Sequence, residues 1–303
     1  MSDLPIGDRP GRATLMGSFA LLLWSMLALL SRAASDLPPF QLTAMAFSVT
    51  AGFGLIWLWS KRQLGLLRQP ALVWLHGAGG LFGYHALFFA ALKYAPAAEA
   101  NLLNYAWPFL IVLLSAPILG LHLTRHHLLG VTIGLGGSLL LLARGTNFGV
   151  DAVFGYACAI GAAFTWAIYS VLAGCFRAVP TQAVIGFCAG GAVLAAIAHA
   201  LFEVSVTPTL PVMACVLLLG IGPVGGAFLL WDIGMKQGDP RLLGALAYGV
   251  PVASTVILGL AGFAPLSPVT VIAATLVTLG GWIAARKAGP RRAARGSSER
   301  AGL

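Results

Sequence analysis

Residues 105–108 read Tyr-Ala-Trp-Pro, and residues 248–251 read Tyr-Gly-Val-Pro. The two stretches lie 143 residues apart in a chain of 303. Shifts of 142 or 143 residues align further pairs: Lys93 with Lys236, Gly83 with Gly226, Trp24 with Trp166, and Pro38 with Pro180. Apolar residues match by chance in such a chain, but coincidences of tryptophan, lysine, tyrosine and proline carry weight. The sequence therefore predicts two copies of one structural unit.

The composition places both copies in a bilayer. Hydrophobic residues make up 59% of the chain and charged residues 9%, with a mean hydropathy of +0.90. Soluble globular proteins carry roughly a quarter charged residues, so a soluble enzyme is excluded. The 38 glycines are consistent with this interpretation, because small residues let helices approach closely in lipid.

The hydropathy pattern divides into ten stretches of membrane-spanning length. A span needs about 20 apolar residues, and prolines, glycines and charges mark the breaks. The predicted spans are about 14–33, 39–60, 70–93, 97–119, 125–143, 150–173, 180–203, 210–236, 239–262 and 268–286. Five spans per copy is an odd number, so the second copy enters from the opposite side. The predicted fold is an all-α polytopic membrane protein with ten transmembrane helices in two inverted five-helix repeats.

Charge sets the expected orientation and partners. With the N-terminus inside, fifteen Lys and Arg residues face the cytoplasm, and only Arg32, Lys93 and Arg144 face outward. The positive-inside rule then puts both termini in the cytoplasm. We expect the basic side to meet anionic lipid headgroups and not nucleic acid. The expected regions are a cytoplasmic N-terminal segment (1–13), the first repeat (14–143), the inverted second repeat (150–286) and a basic cytoplasmic tail (287–303).

Two motifs suggest a family. The first span contains Leu-Trp-Ser at 23–25, and residues 99–108 read Glu-Ala-Asn-Leu-Leu-Asn-Tyr-Ala-Trp-Pro. With the repeat, these resemble the drug/metabolite transporter superfamily (EamA type) and, within it, the aromatic amino acid exporter subfamily (YddG-like). The resemblance covers about 14–286. It implies a monomeric inner-membrane exporter of amino acids with a central cavity between the two halves.

The third span departs from the family pattern. Tyr84 is followed by His85, where the pattern has a tyrosine followed by a carboxylate. This leaves substrate preference open, so threonine, methionine or other neutral amino acids are possible cargo beside aromatic ones.

The central cavity is predicted between spans one, three, four, six, eight and nine. Asn101, Asn104, Tyr105 and Pro108 share one helical face, which indicates either a polar cavity wall or interhelical hydrogen bonds with a proline kink. Trp24, Trp166 and Trp231 lie well inside their spans, where their rings offer apolar faces to a ligand or pack in the core. The predicted substrate-binding residues are Trp24, Tyr84, His85, Asn101, Tyr105, Trp107, Trp166 and Tyr248.

Charged groups within the spans bear on energy coupling. Asp232 lies one turn before Lys236, which predicts an ion pair within one helix, and Glu99 lies near Lys93. We find no isolated carboxylate near the middle of a span and predict export by alternating access driven by the substrate gradient. The alternative is multidrug or other metabolite efflux by the same fold, with proton coupling.

Other chemistries are not supported by the sequence. Residues 220–225 read Gly-Ile-Gly-Pro-Val-Gly, but they lie inside an apolar span, so we interpret them as a packing or hinge element and not as a nucleotide site. His122, His126 and His127 fall in a predicted cytoplasmic loop, and a metal site is not expected there. Clustered carboxylates and a nucleophile with its base are both lacking, so we expect no enzyme activity, metal or cofactor.

Overall fold

The computed structural model describes residues 9–143, 149–262 and 268–286, and the regular structure within these ranges is helical. Residues 1–8 of the predicted N-terminal segment, Arg144, the break at 145–147 and the predicted tail at 287–303 lie outside the described residues.

The helices are labelled α1 to α10 in chain order. The first five are α1 (Arg9–Ser25 and Leu27–Ala33), α2 (Pro39–Ser60), α3 (Ala71–Trp74, Leu75–Gly79 and Gly80–Tyr94), α4 (Ala97–Asn104 and Trp107–Leu119) and α5 (Arg125–Leu142). The second five are α6 (Val153–Ala173), α7 (Ala183–Phe202), α8 (Leu210–Leu219, Gly220–Gly226 and Ala227–Gln237), α9 (Pro240–Ala247 and Gly249–Leu260) and α10 (Pro268–Ala285). Short 3-10 turns at Leu64–Leu67 and Val150–Ala152 lie in the connections.

Eight of these helices are long and apolar enough to cross a membrane: α1, α2, α4, α6, α7, α8, α9 and α10. The chain is therefore a multi-pass helical membrane protein. Helices α3 and α5 coincide with predicted spans but fall outside that group of eight, so the count of ten spans stays a prediction.

Local chemistry sets several helix starts. Prolines occupy the first positions of α2, α9 and α10, where the missing N–H costs no hydrogen bond. At α5, the Thr124 hydroxyl accepts a hydrogen bond from the His127 N–H at 3.4 Å, and the His127 Nδ1 accepts one from the Thr124 N–H at 3.1 Å. At α9, Asp239 Oδ1 accepts from the Arg241 N–H at 2.9 Å. The helices therefore begin where caps satisfy exposed donors.

Three helices are interrupted inside their span. Helix α1 breaks at Met26, α4 at Tyr105 and Ala106, and α9 at Tyr248. In α4, Pro108 has no N–H to donate to the carbonyl of Asn104, so the helix cannot run through regularly. Helices α3 and α8 instead contain wide π turns, at Leu75–Gly79 and Gly220–Gly226. The second π turn contains the stretch that the sequence suggested as a packing or hinge element.

The helices of the two halves pack in an ordered scheme. Helix α1 packs against α8, and α3 against α6, while α2 packs against α7, α4 against α9, and α5 against α10. Glycines permit the closest of these approaches. A Cβ added at Gly234 would lie 2.8 Å from the Gly17 Cα, and one added at Gly130 would lie 2.5 Å from the Gly280 oxygen. These contacts leave no room for a side chain, as expected for helices that associate through small residues.

Candidate functional site

A cavity lies between the two halves and has two connected chambers. The deep chamber, of about 170 Å³, includes Asn104, Trp107, Trp166, Pro223 and Phe228 in its wall. The wide chamber, of about 580 Å³, extends to the connection between α1 and α2 and to the second half of α9. Both chambers share the residues Trp24, Leu27, Tyr84, His85, Phe88, Asn101, Tyr105, Val224 and Val250.

Tryptophans from both halves form the floor of the deep chamber. The ring of Trp24 lies 5.0 Å from that of Trp231, 5.5 Å from Trp166 and 6.3 Å from Trp107, measured between centroids. Trp24 Nε1 donates to the Pro223 carbonyl at 2.9 Å, which fixes the orientation of its ring. Edge-on and tilted packing of this kind is favourable for aromatic rings. The floor is therefore an apolar surface in which the N–H of Trp24 is already hydrogen-bonded.

One wall of the deep chamber is polar. Asn104 Nδ2 donates to the Tyr84 hydroxyl at 3.2 Å, so the Tyr84 hydrogen stays free to donate. His85 Nδ1 lies 2.8 Å from the Leu81 carbonyl oxygen and must donate to it, since a carbonyl only accepts. In the neutral ring, His85 Nε2 is then an acceptor. The wall therefore presents both a donor and acceptors.

The structure brings together seven of the eight predicted site residues. Trp24, Tyr84, His85, Asn101, Tyr105, Trp107 and Trp166 all line the cavity.

Tyr248 does not line either chamber. It is fully buried against α5, where a Cβ added at Gly134 would lie 3.0 Å from its ring. Its backbone carbonyl accepts a hydrogen bond from the Ser138 hydroxyl at 3.1 Å. The repeat places Tyr248 opposite Tyr105, but α9 turns this side chain toward the glycine face of α5 and away from the cavity.

Several lining residues were absent from the predicted set. The sequence places Asn104 on the polar face of α4, and the structure places it in the deep chamber. Phe88 follows Tyr84 by one helical turn, so the spacing could have found it. Pro223 and Phe228 carried no such signal, because their approach to Trp24 depends on the π turn of α8.

A buried polar network lies near the end of α8. Lys236 Nζ lies 2.8 Å from Asp232 Oδ2, which confirms the predicted ion pair, and it donates to the Val179 carbonyl at 2.9 Å. The Thr181 hydroxyl donates to Asp232 Oδ2 at 2.6 Å. Lys236 and Asp232 are only 4% and 6% exposed. The network joins α8 to the segment that precedes α7.

A helical membrane protein with a cavity between its two halves has the architecture of a transporter.

Comparison with known proteins agrees with this class. The EamA-like transporter family matches residues 11–143. A protein of Ancylobacter novellus named aromatic amino acid exporter YddG is 49% identical over 277 residues, which cover 90% of this chain and 96% of that protein. The protein of the same name from Salmonella typhimurium is 27% identical and covers 91% and 98%. The chain therefore belongs to the EamA-like transporter family and is YddG-like within it.

A solved crystal structure shares the fold. It superposes with a TM-score of 0.88 at 47% sequence identity, over 91% of this chain and 96% of that one.

Proposed function

We propose that this protein exports amino acids across the inner membrane as a monomer, by alternating access of the central cavity. The observation that carries the proposal is the combination of a tryptophan floor with a polar wall in one chamber. The names of the relatives as aromatic amino acid exporters support it. We expect aromatic and other neutral amino acids, such as threonine and methionine, to be cargo.

The chemistry of the chamber fits a zwitterion. An amino acid needs a hydrogen-bond donor for its carboxylate, an acceptor for its ammonium group and an apolar surface for its side chain. Tyr84 supplies a donor, while Asn104 and His85 supply acceptors. The proposed site comprises Trp24, Tyr84, His85, Asn101, Asn104, Tyr105, Trp107 and Trp166, and it omits Tyr248.

The cavity wall favours gradient-driven export over proton coupling. The lining residues that the structure describes include no Asp or Glu, and the Asp232 carboxylate is paired with Lys236. Proton relays in transporters use Asp, Glu and His side chains, and among the described lining residues only His85 is of this kind, with its Nδ1 held by the Leu81 carbonyl. Efflux of drugs by the same fold is the less favoured candidate.

We extend the proposal to ten spans in two inverted repeats, 14–143 and 150–286, with both termini in the cytoplasm. The packing scheme supports this. If the number of each helix is raised by five, counting on from α10 to α1, the α1–α8 pair becomes the α6–α3 pair, which is also present. The α2–α7, α4–α9 and α5–α10 pairs convert into themselves. Such exchange is expected of two equivalent units related by a pseudo-twofold axis. In this orientation the wide chamber opens outward, and the basic inner side would meet anionic lipid headgroups.

Uptake of radiolabelled phenylalanine and threonine into liposomes that contain the purified protein tests the function. Trp107→Ala removes part of the cavity floor, whereas Trp59→Ala removes an exposed ring and serves as the matched control. We expect saturable uptake that is lost in Trp107→Ala, kept in Trp59→Ala and independent of internal pH. Uptake of neither compound by the wild-type protein would refute amino acid export, and uptake that requires a pH gradient would refute the gradient-driven mechanism.

A further inference from the structure

The deep chamber contains a buried acceptor without a partner. Asn104 is only 4% exposed, and its Oδ1 has no hydrogen-bond partner, although its Nδ2 donates to Tyr84. A buried amide oxygen left unpaired costs about 1–3 kcal/mol, so native proteins rarely retain one without a reason. Because Asn104 lines the chamber, a rotation of its side chain on binding would let a ligand supply the missing donor.

The backbone around Asn104 adds negative polarity at the same place. Asn104 ends the eight-residue half-helix Ala97–Asn104, which is the first part of α4. The carboxyl end of a helix carries a partial negative charge, and half-helix ends of this kind hold cations in other transporter folds. Since Pro108 has no N–H, the Asn104 carbonyl also lacks its usual helical donor.

The competing acceptors in the chamber are weaker candidates. The Pro223 carbonyl already accepts the Trp24 N–H. The Asn101 NH₂ group donates to the Ala97 carbonyl, and this side chain is less buried than Asn104, so its oxygen can be hydrated. His85 Nε2 is available only while the ring is neutral.

We infer that Asn104 is the acceptor for the substrate's ammonium group, so that the deep chamber selects ligands that carry a primary ammonium next to an apolar side chain. This inference rests on the proposed function. Tyr84 and Asn104 form one unit, in which the amide orients the tyrosine hydroxyl and, after its rotation, presents its oxygen to the ligand. The tryptophan floor then receives the side chain.

Two fragments of phenylalanine separate the two charged groups. Phenethylamine keeps the ammonium and lacks the carboxylate, and 3-phenylpropionate has the reverse composition. Each is titrated as an inhibitor of phenylalanine uptake into liposomes, and its binding is measured independently through tryptophan fluorescence. The variants are Asn104→Leu, which removes the acceptor at similar size, and Asn104→Asp, which keeps an oxygen and adds negative charge.

We expect phenethylamine to inhibit the wild-type protein. In Asn104→Leu its inhibition constant should rise by about 10- to 100-fold, the range expected for loss of a hydrogen bond to a charged group. The inhibition constant of 3-phenylpropionate should change less than threefold. Asn104→Asp should restore or tighten phenethylamine binding, which a purely structural role of Asn104 would not produce.

The outcomes separate this inference from the proposed function. If the wild-type protein transports no amino acid, the proposed function fails. If it transports phenylalanine but Asn104→Leu shifts both fragments equally, or shifts only 3-phenylpropionate, the ammonium assignment is overturned. The second result would mean that the amide presents its NH₂ group to the ligand. If Asn104→Leu does not yield folded protein, the Asn104→Asp measurement decides: weaker phenethylamine binding would contradict the inference.

Discussion

Replacing Lys236 by methionine tests the buried network that joins α8 to the segment before α7. The change removes the 2.8 Å ion pair with Asp232 and the 2.9 Å hydrogen bond to the Val179 carbonyl, while the similar length of methionine limits the cavity left behind. Asp232 is 6% exposed and would keep only its hydrogen bond from Thr181 among the contacts of this network.

The burial of the pair sets the expected magnitude. Removing one partner of a buried ion pair costs about 3–5 kcal/mol, because it leaves an uncompensated charge. Because Thr181 still donates to Asp232, we expect Lys236→Met to lower the free energy of unfolding by about 3 kcal/mol, at the lower end of that range. Adding Asp232→Asn removes the stranded charge, so the double variant should lie within about 1 kcal/mol of the wild-type protein.

The assay is reversible unfolding in mixed micelles of increasing denaturing-detergent content, followed by tryptophan fluorescence. Arg241→Met is the matched control, since its pair with Asp239 is partly exposed and should be worth less than about 1 kcal/mol. A cost below about 1 kcal/mol for Lys236→Met, or a double variant as unstable as the single one, would refute the reasoning, because either result shows that the pair is not coupled by burial.

Two further predictions concern packing and pH. Gly280→Val should prevent close packing of α5 on α10 and abolish folded protein in size-exclusion chromatography, whereas Gly136→Ala, which meets open space, should leave the profile unchanged; equal profiles would contradict the close-packing argument. Burial raises the pKa of Asp239, but the hydrogen bonds and charge of Arg241 outweigh it, so that pKa lies below its usual value. Asp239 therefore stabilises the fold above a pH of about 4, and this contribution is lost as the pH falls through the lowered pKa. The difference in melting temperature between the wild-type protein and Asp239→Asn should be positive at pH 7 and shrink in acid, and a difference independent of pH would contradict the assignment.

Much of the helical layout and of the site was readable from the sequence. The helices coincide with apolar stretches that are bounded by prolines and glycines, because these residues determine the local backbone conformation. The polar face of α4 was also visible, since Asn101, Asn104 and Tyr105 repeat at helical spacing.

What the sequence could not provide depends on tertiary contacts. Met26 interrupts α1 without a proline or glycine there. Tyr248 matches Tyr105 in the repeat, yet its side chain faces Gly134, because the direction of a side chain at a helix break is decided by the neighbouring helix. The approach of Pro223 to Trp24 likewise follows from a π turn whose position sequence periodicity does not reveal.

The pairing of α1 with α8 also sets the order of events during synthesis. Trp24 and its hydrogen-bond partner Pro223 are 199 residues apart. At roughly 5–20 residues per second, a ribosome needs about 10–40 s to make that stretch. Throughout this time the Gly17 face of α1 has no Gly234 to close on, and the nascent helix must stay in the membrane with a gap that lipid or another helix can fill. The N-terminal half thus cannot complete its packing until the C-terminal half has been made. During this interval the chain is most exposed to incorrect helix pairing and to degradation.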